Sequence, residues 1–99
     1  MVISNNYNKF YHGTLLGDLY KQMIEQKRIA MSFDKFKQAI KYANKTYPRH
    51  DGGELVSTML ITNKDLGDHI EWIIRWSSSY GLTLKYIEEQ WQELLKESR

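Results

Sequence analysis

Three histidines, His12, His50 and His69, and a line of lysines, Lys37, Lys41 and Lys45, are the residues of this 99-residue chain whose type and spacing could do chemistry. The histidines lack the H-x3-H or HExxH spacing that puts two imidazoles on one metal ion, and two of them fall in or beside expected turns. No metal site is expected from them. The chain has no Cys, which removes thiol catalysis, thiolate-bound zinc and disulfides. The glycines of HGTLLGD and DGGE do not sit between a strand and a helix, where backbone amides would cradle a phosphate. Glu88, Glu89 and Glu93 read as solvated carboxylates on a helix rather than a paired acid and base. Neither a catalytic residue nor a cofactor is expected.

The lysine line has two readings. Residues four apart on a helix rise about 6 Å per step, close to the spacing of phosphates along one strand. Lys37, Lys41 and Lys45, with Lys35 and Arg49, could therefore neutralise a nucleic-acid backbone. The same stripe is also the ordinary wet side of an amphipathic helix, and it lacks the contacts that read bases. An acidic counterpart, Glu89, Glu93 and Glu97, repeats at the same spacing late in the chain. Like charges at i, i+4 repel by a few tenths of a kcal/mol, so each stripe calls for compensation, from the other or from a partner. The net charge of +2 hides a division: residues 1–50 hold nine Lys or Arg against three Asp or Glu, and residues 51–99 hold five against nine.

The segment WIIRWSSSYGLTLKYIEEQW can be laid over a helix-turn-helix through Ser77, Gly81 and Ile87. Its second helix would then carry Glu88, Glu89, Glu93 and Glu97 toward phosphates, so a simple reversal between antiparallel helices is the better reading. The run IEWII with Gly81 and Leu82 behind it resembles the end of the DnaD-type replication-initiation domain over about twenty residues, with Trp76 one place off that family's tryptophan. The resemblance implies at most a link to nucleic-acid-handling systems and assigns no residue a role.

The aromatic residues point elsewhere. Trp and Tyr bury much area with few torsions to freeze, which favours them at protein interfaces. Trp72, Trp76 and Tyr80, rimmed by Glu89 and Glu93, are the expected protein-binding surface, with Trp91 and Ile73 assigned to the core. The expected function is a non-enzymatic accessory or regulatory protein that binds a protein partner. Sequence-tolerant DNA binding through residues 32–47 is the alternative, and a homodimer is a further option.

Positioning these residues requires an all-α fold: a compact bundle of four to five short helices in one domain, 1–99, with an irregular N-terminal arm at 1–13. The arm's Tyr7, Phe10 and Tyr11 are expected to pack back on the domain. The pattern predicts helices from Thr14 to about Arg28, and from the cap Ser32 to Tyr47 before Pro48. Leu55, Val56, Met59 and Leu60 suggest a short helix, with a strand as the alternative. Thr62 with Asp65 opens a helix to about Ser78, whose apolar face is wide enough for burial on two sides. Thr83 is the expected cap of a last helix to about Glu97. No secretory leader or membrane-length apolar run is read, so a soluble cytoplasmic protein is expected.

Overall fold

A computed structural model describes residues 5–58, 60–82 and 84–97. It is the expected all-α bundle. Helix α1 (Asn5–Lys9) passes through a π-helix (Phe10–Leu15) into α2 (Leu16–Glu25), and α3 (Phe33–Ala43), α4 (Asn63–Ser79) and α5 (Lys85–Glu97) follow. Among the described residues no helix is long and apolar enough to cross a membrane.

The N-terminal arm is irregular in a specific way: it is helical from Asn5, and its aperiodicity is that of a π-turn. Tyr7, Tyr11, Leu15 and Leu19 step by four residues, which on a 3.6-residue turn precesses about 40° per step. The widened turn, with its i→i+5 pattern, keeps all four buried. Thr14 accordingly does not cap a helix but lies inside the π-turn. The arm does pack back. Trp91 is met edge-on by Tyr7 at 5.0 Å and stacked by Phe10 at 5.6 Å. Its Nε1 is enclosed without a hydrogen-bond partner, a cost of about 1–3 kcal/mol that the ring burial must offset.

Helix α4 is the central element, with Leu66, His69, Ile70, Ile73, Ile74 and Ser77 all buried. Its start is as expected, the Thr62 side chain accepting from the Asp65 amide at 3.1 Å. Gly67, Glu71, Ile74 and Arg75 line grooves shared with Glu88, Trp91 and Leu95 of α5, so α4 and α5 run antiparallel side by side. That register is the simple reversal read from the sequence. Gly81, at φ 75°, makes the reversal: Gly81 N–H donates to the Ser78 carbonyl at 3.0 Å and Leu82 N–H to the Ser77 carbonyl at 3.1 Å. Thr83, the expected cap of α5, lies outside the described residues.

Two expectations fail between α3 and α4. Helix α3 begins at its Ser32 cap, whose hydroxyl accepts from the Lys35 amide at 3.2 Å, but ends at Ala43 rather than Tyr47. Asn44 stops it: its Oδ1 accepts from the Thr46 amide at 3.1 Å and from the Thr46 hydroxyl at 2.7 Å, a local turn that competes with the helix. Residues 53–58 form no helix. The chain instead turns tightly through Gly53, at φ 88°, and makes a single antiparallel bridge between Arg49 and Leu55. The expected Met59 lies outside the described residues, and Leu60 is exposed.

Helix α2 closes with a similar reversal, but on Lys27, the one non-glycine residue with positive φ (57°) among those described. Lys27 N–H donates to the Ile24 carbonyl at 3.0 Å and Arg28 N–H to the Met23 carbonyl at 2.9 Å. A left-handed residue with a Cβ costs about 1 kcal/mol. Lys27→Gly should therefore raise the stability by about 0.5–1 kcal/mol in urea unfolding; a loss would show that the Lys27 stem contributes packing.

Candidate functional site

The site is built outward from His69, which the width of the α4 apolar face carries inside the bundle with 1% of its surface exposed. An imidazole placed there must satisfy two ring nitrogens. Nδ1 lies 2.8 Å from Asn44 Nδ2 and Nε2 lies 3.1 Å from the Tyr11 hydroxyl. The orientation of Asn44 assigns the tautomer. Its Oδ1 faces a backbone N–H of Thr46, which can only donate, so its amide nitrogen faces His69 and donates to Nδ1. The ring proton is then on Nε2 and is donated to Tyr11. Tyr47 meets the ring edge-on at 4.7 Å and donates its own hydroxyl to the Val56 carbonyl at 2.7 Å. Burial first, then the charge of Lys41, pushes the His69 pKa down from 6.5 to about 3. Burial likewise raises the Tyr47 hydroxyl to about 12.

From His69 a run of rings climbs α4 toward solvent. Trp72 stacks on His69 at 6.3 Å and 11°, Trp76 on Trp72 at 5.9 Å and 15°, and Tyr80 tilts onto Trp76 at 5.0 Å. Positions 69, 72, 76 and 80 fall within one sector of a helix, which makes the ladder local in origin. Exposure rises along it: His69 is buried, the two indoles are half-buried, and Tyr80 is 54% exposed. Arg28 ties its outer end, donating to the Tyr80 carbonyl at 3.0 Å. The contacts Asn44 to His69 and Arg28 to Tyr80 also set α3 antiparallel to α4.

The structure therefore brings Trp72, Trp76 and Tyr80 together, and separates them from Glu89 and Glu93. Glu89 lines the groove with Glu71 and Arg75, and Glu93 a groove with Lys9 and Phe10. Both glutamates project from α5, which packs on the side of α4 away from the ladder, so they do not rim it. The lysine line is broken as well. Lys41 is buried, Lys37 is half-buried and ion-paired to Asp34 at 3.4 Å, and Lys45 lies beyond the end of α3. Lys35 is exposed on α3, while Arg49, past the helix, covers the Tyr42 ring at 5.4 Å. The two charged stripes do not face each other: the ion pairs among the described residues are local, at i+3 or i+4. Glu93 is paired within its own helix, to Lys96 at 3.7 Å.

No family model, no curated protein and no solved structure matches the chain. The local resemblance to a replication-initiation domain accordingly has no family match behind it.

His12, Asn44 and Thr58 are site residues that the sequence reading did not assign. His12 Nε2 lies 3.1 Å from Thr58 Oγ1, a contact spanning 46 residues that no local pattern announces. Asn44 carried one signal, a turn-forming residue two places before a threonine and four before a proline. Among the described residues no three His, Asp or Glu gather as a metal site.

The buried imidazole has a consequence for stability against pH. Between 6.5 and about 3 the unfolded chain binds a proton that folded His69 excludes, so this contribution is complete above about pH 6.5 and drains as the pH falls. His12, also pushed down by burial and by Lys37 and Lys41, acts in the same sense. Urea unfolding from pH 7 to pH 4 should show stability falling with a slope approaching about 1.4 kcal/mol per unit, and a shallower slope in His69→Gln. Equal slopes would mean that His69 is not held neutral.

Proposed function

We propose that the protein is a non-enzymatic accessory or regulatory protein that holds a partner protein, as an inhibitor, adaptor or small subunit. The observation that carries this reading is the ladder Trp72, Trp76, Tyr80: three rings in successive contact, half-buried to exposed, along α4. Rings already stacked lose little freedom on binding, and covering them adds apolar burial at low entropic cost. A ladder rooted in a buried network is also pre-organised, which favours recognition by a rigid face. The nucleic-acid alternative through Lys35, Lys37, Lys41, Lys45 and Arg49 is weaker, because these residues do not share one exposed helical line. The absence of Cys supports a reducing, cytoplasmic setting.

Affinity capture from the native cell, with bound protein and nucleic acid separated, tests the proposal. Trp72→Ala with Trp76→Ala should abolish protein capture. Because Trp72 also packs on His69, Tyr80→Glu provides a change at an exposed ring that should weaken capture with helical circular dichroism unchanged. Capture undiminished by Tyr80→Glu and by the double substitution would discard this surface, and recovery of nucleic acid alone would favour the alternative.

A further inference from the structure

We propose that the groove between α4 and α5 is a docking site for a basic segment of a partner protein, whose arginine side chains lie between the carboxylates of its two walls. The groove encloses about 420 Å³ and is lined by Glu71, Ile74 and Arg75 from α4 and by Glu88, Glu89 and Trp91 from α5. Its floor is set by the fold, since Ile74 and Trp91 are core residues, 8% and 2% exposed. Its rim is open: Arg75, Glu88 and Glu89 are exposed and Glu71 is half-buried.

Three carboxylates against one guanidinium leave the groove at −2. None of these four groups makes an ion pair or a hydrogen bond among the described residues. Glu71 and Arg75 stand at i, i+4, an order that favours pairing on a helix, and even they stay apart. Carboxylates brought together from opposite walls repel one another, so a cation arriving from outside relieves that repulsion and displaces no existing pair. Arginine suits this shape better than a bare cation. Its stem can lie along Ile74 and the aliphatic stems of the walls, while its planar fork donates to carboxylates on both sides. The volume takes a few side chains, so they reach in from a segment lying along the rim. The groove is on the side of α4 away from Trp72, Trp76 and Tyr80, which makes it a second contact surface, separate from the ladder.

The test uses the full chain and a labelled peptide in which Arg and Leu share one helical face, titrated at low and at physiological salt while backbone amide resonances are followed. Saturable binding that weakens with salt is expected, with shifts centred on Glu71, Ile74, Arg75 and Glu88. Glu88→Gln together with Glu89→Gln should weaken binding by about fivefold with helical circular dichroism unchanged. Arg75→Gln removes the competing cation and should tighten binding by about threefold, a gain that a merely structural role would not produce. Asp51→Asn, at an exposed turn outside the groove, should leave binding unchanged. Equal binding of a peptide with Glu in place of each Arg, shifts centred elsewhere, or undiminished binding by the paired glutamine variant overturns the site. Weaker binding by Arg75→Gln overturns the charge argument, and spermidine binding as tightly as the peptide overturns the preference for arginine. The protein alone should sediment as a monomer; a dimer that dissociates in the paired glutamine variant gives the groove to a second copy and overturns the partner assignment. Failure of any of these leaves the ladder standing, because no substitution in the test lies on it.

Discussion

The structure depends on one buried hydrogen-bonded imidazole. His69 sits where α3, α4 and the π-helix converge, and its two nitrogens bind one residue from each neighbour, Asn44 and Tyr11. A neutral histidine in such a place is tolerated only when both nitrogens are satisfied, so the network specifies how three elements meet more narrowly than apolar packing would. Asn44 cannot rotate to suit a protonated ring, because its oxygen already serves Thr46. The same bonds that end α3 early thus orient the side chain that holds His69. Helix length and core polarity are one constraint here.

The network also reaches the surface on two sides. On one, His69 is the root of the stack through Trp72 and Trp76 to Tyr80, so a side chain buried in the core sets the orientation of an exposed ring. On the other, Tyr47 touches His69 with its edge and lies beneath the Lys41 ammonium. Through these rings the Lys41 ammonium and the aromatic ladder share a common support. A change at His69 is therefore expected to disturb both the ladder and the packing of Tyr47.

The lysine stripe depends on the length of α3, which ends at Ala43. The i, i+4, i+8 lysines form a stripe only if α3 runs to Tyr47. With the helix ending at Ala43, Lys45 leaves the line, and Lys41 lies over Tyr47, itself folded back onto the core. The glutamate line survives as a helical stripe, since α5 does extend to Glu97, but α5 presents it to α4 and α1 rather than to α3. Periodicity locates charges around a helix axis and says nothing about which neighbour that side of the helix will meet.

The sequence by itself determined the all-helical class, the caps Ser32 and Thr62, the central position of α4, the antiparallel return through Gly81, and the clustering of Trp72, Trp76 and Tyr80. Each of these rests on contacts within about four residues or on one amphipathic period, which is the range over which a linear pattern carries physical information. The π-turn lay at the edge of that range: spacing by four was visible at Tyr7, Tyr11, Leu15 and Leu19, but it read as a lost period rather than as a wider turn. Only the tertiary structure decided the His69 network, the contact of His12 with Thr58, and the separation of Glu89 and Glu93 from the ladder. Those outcomes are set by which helix faces pack together, through bonds spanning 25 to 58 residues, and such partners leave no periodic trace in the chain.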